Sequence, residues 1–385
     1  MQSISIVKGC DITRSPRVMQ VEGLFDVPEK ARDLREWSVD IPIDDKEWQI
    51  GLIVGPSGCG KSIIASEVFK DNIVSDFAWP ETESVVDAFP SDMGIKDITG
   101  LLSSVGFSSP PSWLKPYRVL SNGERFRVNM ARVLAEQRKL AVVDEFTSVV
   151  DRTVAQIGSA AIAKTIRNRG QKFIAVTCHY DVLEWLQPDW VYCPVENSFE
   201  WRFLQQRPEI KLDILRVHYS AWGYFKEHHY LTGSIHRAAR CFMALWNNRP
   251  VAFAGIMAFP HVKIKNAYRG HRLVCLPDFQ GVGIGSALAQ FCGMLCKGAG
   301  KRFYIRSSHP AEKGRVIKAD DWRVVNRPKA GIETAMGAGI ANTKKHRMKT
   351  KNKRIYRPVL SAEYVGKGYS AEEALAIWNS QPIRI

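Results

Sequence analysis

A two-part α/β chain is the fold class this sequence predicts, on three observations. A strand-like run, Trp48 to Gly55, passes through a glycine-rich turn into a helical pattern. Short β-rich apolar runs recur at 48–54, 140–143 and 173–177 with longer helical patterns between them. The balance of charge reverses near residue 210. Short apolar strands separated by helices are the pattern of a parallel sheet covered on both faces. The 385 residues, 45% of them hydrophobic, suffice for two cores. Residues 1–210 carry 24 Lys and Arg against 29 Asp and Glu, whereas 211–385 carry 30 against 10. The stretch 201–211, WRFLQQRPEIK, holds a proline that interrupts periodicity, so the boundary falls near Arg207, giving domains 1–207 and 208–385.

The first motif is Gly55-Pro56-Ser57-Gly58-Cys59-Gly60-Lys61-Ser62, set between a strand and a helix. Its glycines let backbone N–H groups converge on phosphate oxygens at the helix N-terminus. Lys61 brings charge to the β and γ phosphates, and Ser62 offers a hydroxyl to Mg²⁺. Residues 55–62 are therefore expected to cradle ATP. Further on, Leu140 to Val143 reads as a buried strand ending in Asp144 and Glu145 at the phosphate-loop end of the sheet, where ligands collect. Asp144 would hold Mg²⁺ through water and Glu145 would orient the attacking water, because phosphoryl transfer needs placement and charge neutralisation more than covalent help.

Leu120-Ser121-Asn122-Gly123-Glu124 opens a helix ending near Gln137, Ser148-Val149-Val150-Asp151 follows the acidic pair, and His179 stands in VTCHYD after the strand Phe173 to Thr177. In order, these resemble the LSGGQ signature, the D-loop and the switch histidine of ABC ATPases, over roughly residues 20–200. The resemblance implies that Ser121 and Gly123 contact the γ-phosphate of ATP held by a second subunit. It also puts Asp151 in the nucleotide site, makes His179 the sensor of the γ-phosphate, and implies a homodimer formed by ATP sandwiching. Asn122 and Glu124 depart from the signature. No glutamine stands near VVDAFPSDM (85–93), where the family's Q-loop would couple to a membrane subunit, and this weighs against transport. Phe25, Trp37 and Trp48 are the open candidates for stacking on adenine.

In the second half, RLVCLPDFQGVGIGSALAQFCGMLCKGAGKRFYI reads as strand, glycine-rich turn, amphipathic helix and strand. A dinucleotide turn would need a βαβ unit with an acid about 20 residues on, which is missing. LVCLPDFQGVGIGSAL resembles the acyl-CoA motif of GNAT N-acyltransferases, over about 210–366, and implies a GNAT-like α+β domain that uses acetyl-CoA or another acyl-CoA. The N–H groups of Gly281, Val282, Gly283, Ile284 and Gly285, with Gln280 leading the motif, would hold the CoA pyrophosphate at the helix N-terminus. The exposed edge of Leu273 to Leu276 would pair with the pantetheine amides. A hairpin is expected at Cys241 to Trp246 and Val251 to Phe259, joined by Asn247-Asn248-Arg249-Pro250. The position where the family often has a tyrosine general acid reads SSHPAEKGRVIKA, leaving Ser307, Ser308, His309 or a tyrosine from elsewhere.

Trp222 to Leu231 (WGYFKEHHYL) resembles a stretch of Mom-type phage acyltransferases, which modify adenine in DNA. Its paired His228 and His229, beside aromatics, would bind a base, shuttle a proton, or cap a helix. Lys344 to Arg357 contains eight Lys and Arg and no acid, and precedes an expected last strand, Arg354 to Val365. Together with the basic half, residues 211–385, this run predicts a nucleic-acid acceptor. Ser370-Ala-Glu-Glu373 starts a terminal helix with a capping box.

The leading expectation is an ATP-hydrolysing ABC-type ATPase joined to an acyl-CoA-dependent N-acyltransferase that modifies a nucleobase in DNA or RNA. The alternatives are acylation of a protein or small amine under a regulatory ATPase, a DNA-binding ATPase without acyl transfer, and the ATP-binding subunit of a transporter. No run reaches the roughly 18 to 20 apolar residues that cross a bilayer, so no membrane partner is expected. The opening MQSISIVKGCDITRSPR has no secretion signal, which predicts a cytoplasmic setting, that of the host if the chain is phage-encoded. The eight cysteines form no CxxC pair, so neither disulfides nor zinc are expected.

Overall fold

The computed structural model describes residues 4–25, 28–29, 31–74, 77–137, 139–202, 209–229, 233–262, 264–326, 349–350, 353–354 and 359–384. The chain divides into two compact units that do not follow sequence order. Unit 1 is Met1–Trp79 with Arg132–Pro208, and unit 2 is Pro80–Ala131 with Glu209–Ile385. The boundary expected near Arg207 and most of the basic run 344–357 lie outside the described residues.

Unit 1 has an antiparallel pair, β1 (Ile4–Asp11) with β2 (Arg32–Val39), and a six-stranded sheet. The sheet comprises β3 (Ile50–Val54), β4 (Ile73–Val74), β5 (Leu140–Val143), β6 (Lys172–Thr177), β7 (Trp190–Cys193) and β8 (Ser198–Trp201), in the order β4-β5-β6-β3-β7-β8. Every pairing is parallel except β7 with β8. All five residues of β3 are buried, as its unbroken apolar run demands. Helix α1 (Pro16–Phe25) precedes β2 and buries none of its residues. Helix α2 (Lys61–Val68) brings Ile64 and Ala65 into the core formed with Ile53, Val142, Ile174 and Val176.

The segment 80–131 of unit 2 holds α3 (Ile95–Ser104), α4 (Pro110–Trp113) and the start of α5 (Asn122–Glu136), which ends in unit 1. Unit 1 continues with α6 (Arg152–Arg169), ended by Gly170 at φ 66°, and the short α7 (Leu183–Leu186).

Unit 2 is built on a seven-stranded sheet: β9 (Asp213–Val217), β10 (Arg240–Trp246), β11 (Arg249–Ala258), β12 (Ala267–Cys275), β13 (Arg302–Ser307), β14 (Trp322–Asn326) and β17 (Leu360–Tyr364). Between the last two, β15 (Lys349–Thr350) and β16 (Lys353–Arg354) form their own short ladder. The sheet order is β14-β17-β13-β12-β11-β10-β9, and the one parallel pairing among these strands is β12 with β13. The expected hairpin is present, its turn made by Asn247 and Asn248 at φ 50° and 61°, the left-handed pair a two-residue hairpin requires.

Helix α8 (Ile284–Gly298) packs Ile284, Leu288, Phe291, Cys292 and Leu295 against Phe242, Ala252, Ala254, Ile256 and Phe303, with Trp378 of α10 (Ala371–Asn379) in the same core. A separate cluster, Trp222, Phe225, Met243, Phe253 and Val274, gathers the alternate residues of these strands. α9 (Pro310–Lys318) packs on α3.

Two elements differ from expectation. Instead of the helix that His228 and His229 would cap, the chain between β9 and the hairpin forms two 3₁₀ turns, Tyr219–Tyr224 and Lys226–His228. The last strand is shorter than Arg354 to Val365: Arg354 pairs with Lys349 instead, and the sheet strand begins at Leu360, after Pro358 in the sequence. No helix among the described residues is long and apolar enough to cross a membrane.

Candidate functional site

In unit 1, β3 lies between β6 and β7, and β5 lies beyond β6, all parallel. The phosphate loop, Asp144-Glu145 and Thr177-Cys178 therefore emerge from one edge, and they line one cavity with Arg35 and Trp37. Gly58 and Gly60 bend the loop at φ 80° and 97°. A Cβ on Gly60 would meet the Trp37 ring at 2.5 Å, so only glycine fits beneath that indole, which donates to Cys59 O at 3.0 Å. Lys61 Nζ lies 2.8 Å from Pro56 O. Of the three aromatic candidates, Trp37 lines the cavity. Trp48 is buried edge-on against Trp190, and Phe25 is exposed on α1.

The acidic turn is strained. Glu145 and Thr147 both sit in the left-handed region, at φ 50° and 70°, and for a β-branched threonine this is a rare conformation. The turn is held by Phe146 N donating to Val176 O at 2.8 Å, by the Phe146 ring against Phe173, and by Ser148 Oγ donating to Glu145 O at 2.7 Å. Thr147 Oγ1 lies 3.5 Å from His179 Nδ1, so the turn joins the acidic pair to the histidine. Burial lowers the His179 pKa, Arg152 lowers it further and Asp181 opposes. Asp151 caps α6, accepting from Val154 N at 3.1 Å. Ser62 and Asp144 line the same cavity and offer two hard oxygen donors. That set suits Mg²⁺, whose shell is completed by water and phosphate oxygens.

Ser121 and Gly123 stand at the start of α5, within unit 2. Ser121 N and Oγ both donate to Glu124 Oε2, at 3.0 and 3.1 Å, while Glu124 N returns a bond to Ser121 Oγ at 3.3 Å. The departure at Glu124 thus completes a capping box.

The second site is built where β12 and β13 part. They pair over Ala267–Arg269 and Arg302–Tyr304 and no further, so β12 has an open edge from Gly270 onward. Leu276 N is committed to Val251 O at 2.9 Å, and by alternation Leu273 presents its polar groups to the open side. Past β12 the chain turns through Gly281 (φ 93°) and Gly283 (φ 100°), and the N–H groups of Gly281 to Ile284 meet no protein acceptor among the described residues. The N–H of Gly285 faces the Cys275 sulfur, whose thiol burial pushes up to about 12. An anion suits the helix end so formed.

Gln280 is already committed: its Oε1 accepts from Ser108 N at 2.8 Å and its Nε2 donates to Cys275 O at 2.9 Å. Ser108 O also lies 3.0 Å from His309 Nε2. One residue thereby bridges the ends of the two diverging strands. Beside it, Arg127 of α5 is wholly buried, with Nη2 donating to Asp278 O at 2.8 Å and Nη1 to Gly123 O at 3.4 Å. Sequence reading missed Ser108 and Arg127, and it left His309 among the acids, where its ring is instead tied to a backbone carbonyl.

The histidine pair is separated. His228 is exposed, whereas His229 turns inward, edge-on to Trp222. Burial, with Arg272 and His271 adding, takes His229 down to about 4; burial, Arg272, Arg269 and His236 take His271 to about 4. Both are neutral near pH 7. Because their folded values lie below the ordinary 6.5, the unfolded chain binds more protons between pH 6.5 and 4, and stability falls as pH falls through that window. Denaturant midpoints at pH 7 and 4.5 are expected to drop for the wild type, and to drop less for His229→Phe combined with His271→Asn.

Residues 180–313 match the model of the acetyltransferase (GNAT) family. The match takes in the open edge of β12, the glycine turn and the whole of α8. The phosphonates import ATP-binding protein PhnC 2 of Albidiferax ferrireducens is 25% identical over 119 residues, 31% of this chain and 41% of that protein. The chain thus spans about two fifths of that relative's length. Similar solved structures include cbiO1 from Clostridium perfringens, part of the ABC transporter complex cbiONQ, with 19% identity, 44% of this chain and 80% of that one covered, and a TM-score of 0.34. Another is the ATP-binding cassette MJ0796 bound to ADP and Pi, with 16% identity, 44% and 90% covered, and a TM-score of 0.34. Over residues 180–313 the chain is thus similar to the GNAT acetyltransferases, and over 119 residues it is similar to an import ATP-binding protein.

Proposed function

We propose that the chain is an ATP-hydrolysing ABC-type ATPase that controls an acyl-CoA-dependent N-acyltransferase acting on a nucleobase of DNA or RNA. The observation that carries the reading is the link between the signature segment and the acyl-CoA loop: Gly123, Arg127 and Ser108 on one side, Asp278 and Gln280 on the other. A Cβ on Gly106 would meet Gln280 O at 2.7 Å, so the two backbones approach as closely as glycine allows.

In unit 1 the loop 55–62 receives the phosphates and Ser62 with Asp144 would hold Mg²⁺, which supplies charge neutralisation when bound. Glu145 orients water and His179 reads the γ-phosphate through Thr147. Ser121 and Gly123 complete the site of a second copy, giving a homodimer. In unit 2 the free N–H groups at the start of α8 take the CoA pyrophosphate, and the open edge of β12 takes the pantetheine arm. The 30 Lys and Arg against 10 acids in residues 211–385 favour a polyanionic acceptor.

Titration calorimetry with acetyl-CoA, with and without ATP, tests the reading. Gly283→Val forces a side chain into φ 100° and is expected to weaken acetyl-CoA binding about tenfold or more, leaving ATPase activity in place. Mass spectrometry of nucleosides from cells expressing either form tests the acceptor. A wild type that binds no acetyl-CoA overturns the acyltransferase reading, and identical nucleoside profiles overturn the nucleobase.

A further inference from the structure

Resting on the nucleobase reading, we infer that the arginine-lined face of β12, β13, β17 and β14 is the surface on which a single-stranded nucleic acid lies while its base is presented. The register assigns the residues to that face. Arg269 of β12 pairs with Tyr304 of β13, Tyr304 and Arg306 pair with Glu363 and Ser361 of β17, and Arg323 of β14 pairs with Glu363. Paired residues share a face, as do residues two apart on one strand. Arg269, Arg302, Tyr304, Arg306, Glu363 and Arg323 therefore stand together. Their chain neighbours Phe303, Ile305, Ala362 and Trp322 belong to the core shared with α8, with Val316 of α9 and with Trp378 of α10. Those helices thus pack on the opposite face.

The charge here is one-sided and held in place. Four arginines share the face with one acid, Glu363, which is buried. Its two oxygens accept from Arg302 Nε at 2.6 Å and from Arg323 Nη2 at 2.5 Å, while the two arginine side chains stay 45% and 63% exposed. Burial raises the Glu363 pKa, but the bonds from Arg302 and Arg323 outweigh it and bring it down to about 2. One buried carboxylate thus fixes two exposed guanidiniums, and each keeps N–H donors for a phosphate. Arg306 is exposed and has no hydrogen-bond or ionic partner among the described residues.

At the β12 end the charge meets an aromatic group. Arg269 lies over the half-buried Phe259 ring at 5.6 Å, and Phe259 packs on Tyr304 and His261 with ring centroids 5.9 and 5.6 Å away. Bases stack on aromatic rings and on guanidinium planes, whatever their sequence. Arg269 with Tyr304 is also the last pair before β12 and β13 part, so this end borders the open edge that takes the pantetheine arm on the proposed reading. From β14 to β12 the face spans three strand spacings, about 14 Å.

The same chemistry favours a single strand over a duplex. A duplex is read by a helix or ribbon inserted into a groove, and a base must leave the stack before its amine can react. A sheet surface with arginines along it and an aromatic group at one end instead meets phosphates and unstacked bases together.

The test is fluorescence anisotropy of labelled single-stranded DNA and RNA of about 20 nucleotides, titrated with the full chain from about 50 to 300 mM salt. Removing one phosphate contact flattens the slope of log affinity against log salt by about 0.7 and weakens binding about fivefold at 0.1 M salt. That loss is expected for Arg306→Gln and for Arg269→Gln. Arg306→Lys, which keeps the charge, and Lys164→Gln, an equal loss of charge on the exposed surface of α6, are expected to keep the wild-type slope. Equal slopes in all four variants overturn the face while the nucleobase reading stands. Duplex of the same sequence bound as tightly as the single strand, or equal competition by polyglutamate, overturns the single strand as its occupant. A wild type that binds no nucleic acid overturns both this assignment and the nucleobase reading.

Discussion

Glu145→Gln is expected to reduce ATP turnover by about 10²–10⁴-fold, the range for losing a positioned acid-base group, while ATP affinity stays within a few fold. The substitution is nearly isosteric. Its amide oxygen remains within reach of Ser148 Oγ, 3.5 Å from Glu145 Oε2, so the turn keeps its shape. What is lost is the negative charge that, in the proposed mechanism, orients the attacking water. The phosphate loop, Lys61, Ser62 and Asp144, which line the same cavity, are untouched. Steady-state phosphate release and nucleotide titration on the same preparation separate the two effects. Turnover near wild type would transfer the role to another group, and lost affinity would make Glu145 a structural residue of its strained turn.

That turn shows where sequence reasoning stops. The strands β3, β5 and β6 were legible because each is an unbroken apolar run between polar signals. The glycines at 58 and 60 were legible because they follow one of them. The φ of 70° at Thr147 was not, since threonine disfavours it and only contacts from Val176 and Phe173 impose it. The hairpin Asn247-Asn248 and the cap at Ser370 were likewise readable, because both are local.

Membership of residues 80–131 in unit 2 was not readable. The motifs of that segment are contiguous with the ATPase motifs in sequence, and nothing local records which core a helix is buried in. Gln280 looked like a ligand group on its motif alone, yet its two bonds go to Ser108 and Cys275. The bulge at His271 was invisible for a different reason: it is a property of the register between β11 and β12, and either strand alone reads as regular.

Arg127→Met is the substitution expected to uncouple the two activities without unfolding the chain. Arg127 is buried to within 1% exposure. Its Nε has no hydrogen-bond partner, and its ion pair with Asp278, at 3.7 Å, reaches a carboxylate that is half exposed. Burial pulls its pKa down against the opposing pull of Asp278. Both Arg127→Met and Arg127→Ala take the donors from Asp278 O and Gly123 O, but methionine keeps most of the side-chain volume and is expected to cost about 1–3 kcal/mol, whereas alanine adds a cavity and is expected to cost about 2–5 kcal/mol. The contrast separates folding from coupling. On the proposed reading, ATP changes acetyl-CoA affinity in wild type through α5, since the helix that opens with Ser121 and Gly123 also carries the guanidinium bonded to Asp278 O. In Arg127→Met, unfolding remains cooperative at a somewhat lower temperature than in wild type, each ligand still binds, and the ratio of acetyl-CoA affinities with and without ATP falls to one. An unchanged ratio in a folded Arg127→Met protein means that the two sites communicate by another route, or not at all.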